Sequence, residues 1–179
     1  ITDNGWHLNF KGAANQSKTD SAIAKGHESD GTKNYQINLN GNKWLKDNLK
    51  LKSTLYYRDT KSDYDKSASQ ENSVTSDNKM YALQTGVERK TNNSLDSIMF
   101  HYHNYDRKYY EIGKKNKYYS ESLVAKAERD IIFNSKLSYG YGGEYKYDWG
   151  HYLTKTFASQ MRGHINNLGI FVNVGYRFN

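Results

Sequence analysis

The chain has 179 residues, enough for one domain, with a formal net charge of +7 and a mean hydropathy of −1.00. The absence of cysteine excludes disulfides, thiolate metal sites and cysteine nucleophiles, and the scattered lysines and arginines argue against a nucleic-acid interface, which needs clustered positive charge. Only 36% of the residues are hydrophobic, below the roughly 45–50% of soluble domains, yet 17 tyrosines, 6 phenylalanines and 3 tryptophans are too many aromatic residues for a disordered chain.

Eight stretches of the chain alternate apolar and polar residues with a period of two, which is typical of strands with one apolar and one polar face. In chain order, the apolar positions of these predicted strands begin at Trp6, Tyr35, Leu49, Tyr81, Ile98, Leu123, Leu137 and Leu168. The sixth strand, at about 123–128, has the weakest alternation. No apolar run approaches the roughly 20 residues of a membrane helix.

The connections between the predicted strands alternate in length. The short ones lie near 41–48, 91–94 and 130–135. The long, polar ones lie near 14–31, 59–78, 106–117 and 148–166. Short turns on one side and long loops on the other are typical of outer-membrane barrels. The sequence therefore predicts an all-β, antiparallel, up-and-down transmembrane β-barrel of about eight strands in the outer membrane of a Gram-negative bacterium.

The polar face of the predicted strands is rich in charge, which separates this pattern from a soluble barrel with an apolar interior. The charged residues assigned to it are Lys50, Lys52, Arg58, Glu88, Lys126, Glu144, Lys146 and Arg177. So many charges would be costly in a small closed interior, but not against a wide water-filled lumen or a polar plug. Aromatic residues near the strand ends predict interfacial girdles at Trp6, Tyr56, Tyr57, Tyr102, Tyr145, Tyr147, Tyr176 and Phe178.

Eight strands could close into a small barrel or form one stretch of a much larger one. An open sheet edge is not viable in lipid, so a part of a larger barrel needs the remaining strands beside it. We expect residues 1–179 to be one segment of a barrel of about 22 strands, without a plug domain or a signal peptide.

From about Asn4 to Gly150 the chain resembles the cobalamin (vitamin B12) receptors among the TonB-dependent outer-membrane receptors. The resemblance rests on the order and spacing of five short stretches, at 27–31, 57–65, 77–81, 83–89 and 101–106. The first, His-Glu-Ser-Asp-Gly, is similar to the Asp-Ser-Asp-Gly segment of the family's first calcium loop, and the second is similar to a strand end that runs into a Thr-Asp-Tyr-Asp loop. The resemblance implies import of cobalamin or a similar scarce nutrient, driven by TonB through a plug domain.

The resemblance also implies that calcium is bound by two adjacent extracellular loops that order the ligand site. The residues at the matching positions are Asp20, Glu28, Asp30, Asp65 and Asp77. Carboxylates suit Ca²⁺, which takes six to eight oxygen ligands. Glu28 departs from the family, which has aspartate there, and the first loop is shorter. Tyr64 occupies the position of an aromatic residue that contacts the corrin ligand, so it is the predicted ligand-binding residue.

Two other functions fit part of the pattern. A complete eight-stranded barrel would serve adhesion or membrane integrity. A barrel enzyme would need a catalytic set at its loop rim, and Asp148, His151 and Ser159 share one predicted loop. Three such common residues are expected in a loop of that length by chance, so we expect no enzymatic activity.

Overall fold

The computed structural model describes residues 5–20, 29–64, 74–111, 114–154 and 159–177, and β-strands account for most of them. The strands are β1 (Trp6–Asp20), β2 (Ser29–Lys46), β3 (Leu49–Tyr64), β4 (Val74–Lys90), β5 (Ser94–Glu111), β6 (Lys114–Ile132), β7 (Leu137–Thr154) and β8 (Ser159–Tyr176). The eight predicted strands and the all-β antiparallel fold are confirmed. Within these ranges, no helix is long and apolar enough to cross a membrane.

The strands form one sheet in which each strand pairs antiparallel with its neighbour in the chain, in the order β1 to β8. Antiparallel neighbours can be joined by tight turns, and the three turns at 47–48, 91–93 and 133–136 confirm the predicted short connections at what we call the lower end of the sheet. In the third turn, Asn134 Oδ1 accepts hydrogen bonds from the backbone nitrogens of Lys136 and Leu137 at 2.9 and 2.8 Å. Among the described residues, β1 and β8 each pair with one strand only and are the edges of the sheet.

At the opposite, upper end, the strands extend far into the stretches predicted as long loops, and that prediction was wrong in extent. β1 continues to Asp20 and β2 starts at Ser29, inside the predicted loop 14–31, and the same holds for the other three predicted loops. The strands have 15 to 19 residues, whereas a tilted strand needs about 9–11 to cross a bilayer. A strand that continues beyond the membrane is wet on both sides, so its sequence loses the alternation that marks a strand.

Cross-strand neighbours give the sheet one apolar and one polar face, because residues opposite each other in an antiparallel ladder point to the same side. One row of the apolar face runs through Phe10, Leu39, Leu55, Leu83, Tyr102 and Leu123. The adjacent row of the polar face runs through Asn9, Asn40, Thr54, Gln84, His101 and Val124.

No second layer covers the apolar face within the described part of the chain. Val74 is the one buried hydrophobic residue there, while Leu168 and Ile170 on β8 are 78% and 83% exposed. Uncovered apolar surface of this extent marks an interaction surface rather than a water-facing one. A single-layered sheet with one such face and a polar opposite face is suited to lipid on one side and water on the other.

The aromatic girdle is partly as predicted. On the apolar face, Tyr57 and Tyr81 lie ring against ring with centroids 4.8 Å apart near the upper end, beyond the apolar rows. Tyr56 was assigned wrongly, because its cross-strand partners Asn38 and Ala82 belong to the polar face. Tyr102 was also misplaced, since it belongs to a middle row of the apolar face.

β6, the strand with the weakest sequence signal, is the longest at 19 residues. Its alternation is faint because the apolar face carries the small residues Ala125 and Ala127, while the apolar Val124 lies on the polar face.

Candidate functional site

Six side chains on the polar face of the upper sheet form the main candidate site, which we call the arginine–tyrosine cluster. Its members are Arg58, Tyr105, Arg107, Tyr109, Tyr118 and Tyr152. Three of them form one cross-strand row, in which Arg107 on β5 pairs with Tyr118 on β6, and Tyr118 pairs with Tyr152 on β7. The ladder therefore gathers on one surface residues that are almost fifty positions apart in the chain.

Hydrogen bonds to nearby polar side chains orient two members of the cluster. Arg58 Nε donates to Asn34 Oδ1 at 3.0 Å and to Thr60 Oγ1 at 3.2 Å. The Tyr105 hydroxyl donates to Asn78 Oδ1 at 3.0 Å. Because these partners are uncharged, they do not offset the positive charge of the Arg58 guanidinium.

Ring contacts connect the remaining members. The rings of Tyr105 and Tyr118 are tilted against each other with centroids 6.0 Å apart. The guanidinium of Arg107 lies 5.8 Å from the ring centroid of Tyr109, within the range of a cation–π contact. Tyrosine rings and guanidinium planes both offer flat surfaces on which a planar ligand can stack.

Two clefts meet at the cluster and share Tyr105 and Arg107. One, of about 470 Å³, is lined by four tyrosines with Arg107 and Asn116. The other, of about 360 Å³, lies between Arg58 and Arg107. Small-molecule sites have volumes of roughly 300–1,000 Å³, so each cleft could hold part of a nutrient-sized ligand.

A third cleft, of about 520 Å³, lies beside the cluster on β6 to β8. No side chains project into the middle of this cleft at Gly150 and Gly163, which oppose each other across the β7–β8 ladder. A Cβ at Gly163 would meet nothing within 4 Å, which leaves open space above the backbone. Tyr152 and Met161 form one wall of the cleft, and Asp148 lies on the other side.

The cluster carries unopposed positive charge. In the described part of the chain, neither Arg58 nor Arg107 makes an ion pair, whereas lower on the polar face Lys126 pairs with Glu128 at 2.6 Å and Lys146 pairs with Asp148 at 2.9 Å. Arginine binds carboxylate and phosphate groups through its fork of donors. The arrangement is therefore suited to a ligand that has both an anionic group and a flat surface.

The predicted calcium residues lie at the upper end of the first two hairpins, as far as the structure describes them. Asp20 is the last residue of β1 and pairs with Ser29, and Asp30 on β2 pairs with Thr19. Glu28 and Asp65 lie outside the described residues. Tyr64, the predicted ligand contact, is the last residue of β3 and pairs with Val74.

Asp77, the fifth predicted ligand, lies on β4 between two lysines in the ladder, Lys61 on β3 and Lys108 on β5. Its Oδ1 atom is buried without a hydrogen-bond partner. Over the described ranges, no three histidine, aspartate or glutamate side chains lie close enough together to hold a metal ion. The described residues thus contribute at most part of a calcium site, and calcium stays a prediction.

The three residues weighed as an enzyme site do not share a loop. Asp148 and His151 lie on β7, where their cross-strand partners belong to opposite faces of the sheet, and Ser159 is the first residue of β8. Two residues that are three apart on a strand point to opposite sides, so the side chains of Asp148 and His151 leave the sheet on opposite faces.

Sequence reasoning missed the arginine–tyrosine cluster, although a signal was present. Tyr105, Arg107 and Tyr109 occupy alternate positions, so they share a face if the strand continues through them. Because the sequence predicts a loop at 106–117, the alternation within this stretch does not enter the predicted strands.

The fold and the two-faced sheet define the class: this is the architecture of outer-membrane β-barrels. The chain is similar to the ferric yersiniabactin uptake receptor FyuA from Yersinia pestis, with a TM-score of 0.57 and 11% identity over 99% of this chain and 33% of that one.

The chain is also similar to the translocator domain of the autotransporter NalP from Neisseria meningitidis, with a TM-score of 0.54 and 12% identity over 93% of this chain and 59% of that one. The chain thus spans less than two thirds of the length of either structure. No family model matches the sequence, and no curated protein matches it. At such low identity, the two similarities establish the fold alone.

Proposed function

We propose that the chain contributes these eight strands to the barrel of a TonB-dependent nutrient receptor in the outer membrane of a Gram-negative bacterium. The arginine–tyrosine cluster carries the proposal. On the lumen side of such a barrel, two unpaired guanidiniums among four tyrosines would capture an anionic ligand with flat groups. Their position near the upper end, away from the tight turns, corresponds to the extracellular mouth of an outer-membrane barrel.

The edges of the sheet support a barrel with more strands than these eight. β1 and β8 do not pair with each other among the described residues, and unpaired edges are not viable in lipid. A larger barrel would supply the missing neighbours. The similarity to FyuA, which is an uptake receptor by its title, agrees with this proposal.

Cobalamin is the proposed ligand, on the resemblance described above, and another scarce nutrient of similar chemistry is the alternative. Cobalamin combines a flat corrin ring with a phosphodiester, which are the two features that the cluster suits. TonB would supply the energy through a plug domain.

Uptake by the full-length native protein tests the proposal. Cells that produce it should accumulate labelled cobalamin, or a ferric siderophore, only when TonB is functional, because the barrel itself has no energy source. Binding without TonB-dependent accumulation would reject the receptor function. A complete eight-stranded barrel for adhesion or membrane integrity, the second candidate, would accumulate neither compound.

We also propose that calcium orders the upper loops through Asp20, Glu28, Asp30, Asp65 and Asp77. Removing calcium with a chelator should weaken ligand binding, because the carboxylates would repel one another without the cation. Asp30→Asn and Asp65→Asn should abolish this calcium dependence, whereas Asp130→Asn, near the lower end, should keep it. Equal ligand affinity with and without calcium in the unaltered protein would exclude the role.

A further inference from the structure

A trough crosses the polar face of the upper sheet within the third cleft, and we call it the glycine trough. Its floor is one cross-strand row of small residues, which are Ser120 on β6, Gly150 on β7 and Gly163 on β8. The row above it consists of Tyr118, Tyr152 and Met161, and the row below it consists of Ser122, Asp148 and Ile165. Tyr152 and Asp148 are four positions apart on β7, so their Cα atoms are about 13 Å apart at roughly 3.3 Å per residue, which leaves room for one ring.

The sheet itself does not require the two glycines of the floor. An added Cβ would meet nothing within 4 Å at Gly163, and at Gly150 its nearest neighbour would be a backbone oxygen at 3.8 Å, which is an ordinary contact. At Gly86 and Gly142, by contrast, a Cβ would collide with the backbone of the adjacent strand. Glycine weakens the interior of a strand and often marks a place where a ligand approaches the backbone closely. The floor therefore indicates an occupant that the sheet does not provide.

The lower side of the trough contains a buried hydroxyl group that lacks a partner. Ser122 is 3% exposed and lines the cleft. Its Oγ atom makes no hydrogen bond of normal geometry to the described residues, although Asp148 is directly opposite it. A buried hydroxyl without a partner is costly. A ligand hydroxyl between the two side chains would accept a hydrogen bond from Ser122 and donate one to the carboxylate of Asp148.

The charges around the trough favour a neutral polar occupant. Asp148 pairs with Lys146 at 2.9 Å, so the two side chains together have no net charge that would attract an ion. The Asp148 side chain is nevertheless 33% exposed and can accept a further hydrogen bond. Four other ionisable residues border the cleft but belong to the apolar face, namely Glu121, His151, Arg162 and His164. His103 lies on the polar face, one strand away and directly opposite Ser122.

The upper side of the trough is apolar and flat, which complements the polar lower side. Tyr118 and Tyr152 provide aromatic rings, and Met161 provides an apolar side chain beside them. A sugar ring has both properties that the two sides require, because its hydroxyl groups lie at its edge and C–H groups cover its faces. An occupant of this kind would bond to the lower side and pack against the upper side.

The trough continues into the arginine–tyrosine cluster. Ser120 of the floor is directly opposite Tyr105 on β5. Tyr118 and Tyr152 line both the third cleft and the cleft beside Arg107. Neighbouring strands are about 4.8 Å apart, so the floor and the cluster are within reach of one small molecule.

We propose that the glycine trough binds a sugar ring of the same ligand whose anionic, flat part lies on the arginine–tyrosine cluster. The inference rests on the proposed ligand site and narrows its substrate class to compounds in which a sugar joins an anionic group and a planar ring. Ser122 and Asp148 bond to a sugar hydroxyl. Because no side chains project at Gly150 and Gly163, the ring can lie directly on the backbone.

Binding of two nucleotides by the full-length protein in detergent micelles tests the inference. Adenosine monophosphate joins a planar base, a sugar and a phosphate, and dideoxyadenosine monophosphate differs only in lacking the two free sugar hydroxyls. Calorimetry should show about tenfold tighter binding of adenosine monophosphate. Ser122→Ala should weaken that binding by about two- to tenfold, the contribution of one hydrogen bond, and leave the dideoxy compound unaffected. Equal affinity of the unaltered protein for the two nucleotides, or no binding of either, would overturn the inference.

Filling the trough provides a second test. Gly163→Val should weaken the binding of adenosine monophosphate by about tenfold or more. Without ligand this variant should be no less stable than the unaltered protein, because valine favours strands and its side chain enters open space. Gly169→Val is the matched control, since Gly169 lies on the polar face of the same strand and outside the cleft, and it should bind as the unaltered protein does.

Two results for Gly163→Val would overturn the inference. One is unchanged binding of adenosine monophosphate. The other is lower stability without ligand, because another part of the full-length protein, such as a plug domain, would then fill the trough. Failed nutrient uptake with intact discrimination between the two nucleotides would reject only the receptor function.

Discussion

Leu83→Arg is expected to destabilise the inserted barrel by about 2–4 kcal/mol, the cost of a cationic side chain at the lipid face of a membrane strand. Leu83 lies on the apolar face of β4, between the charged residues Lys79 and Arg89 at either end of the apolar band. It is 39% exposed and has no covering layer among the described residues. Equilibrium unfolding of the full-length protein from phosphatidylcholine vesicles would measure the change.

The neighbouring residue provides the control. Gln84→Arg adds the same charge one position along β4, on the polar face beside Thr54 and His101. If the polar face is in contact with water, Gln84→Arg should change the stability by no more than about 0.5 kcal/mol, as other surface substitutions do. Equal destabilisation by the two arginines would contradict the assignment of lipid and water to opposite faces.

Arg58→Gln/Arg107→Gln is expected to weaken ligand binding by about a hundredfold to ten-thousandfold, because each of the two charge-assisted hydrogen bonds contributes about 1.5–3 kcal/mol. Glutamine keeps a polar side chain of similar length, so the fold should be preserved. The affinity of the full-length protein for cobalamin, measured by calorimetry, gives the direct readout.

A charge-matched variant separates recognition from general attraction. Lys11→Gln/Lys50→Gln also removes two positive charges from the polar face, but both lie outside the arginine–tyrosine cluster. Its affinity should change less than about threefold, since wet, exposed charges are screened by salt. A similar loss in both variants would show that the cluster has no special part in binding.

The sequence predicts the sheet well because alternation is a local signal that follows from strand geometry. Neighbouring residues such as Leu83 and Gln84 indicate the two faces of a strand from the sequence alone. The signal fails where the environment is the same on both sides, as in the upper parts of β1 and β2. It also fails where side chains are small, as at Ala125 and Ala127 of β6.

The candidate site was less predictable, because it depends on register. Arg107 and Tyr152 become neighbours of Tyr118 only when β5, β6 and β7 are aligned residue by residue. No local pattern in the sequence predicts that alignment of the three strands. Asp77 shows the same limit: the resemblance implies that it binds calcium, and only the ladder shows that it lies between Lys61 and Lys108.

Within the described part of the chain, the outer edges of β1 and β8 are unpaired, which has a consequence for biogenesis. Outside a membrane, each edge presents a row of free N–H and C=O groups beside exposed leucine and isoleucine side chains, which is a template for aggregation. A chain of this kind is safest if it travels unfolded, shielded by a holding chaperone, and pairs its edges only as it enters the bilayer. Folding and insertion would then be a single step, because the inter-strand hydrogen bonds that complete the barrel are also those that satisfy its backbone polar groups in lipid.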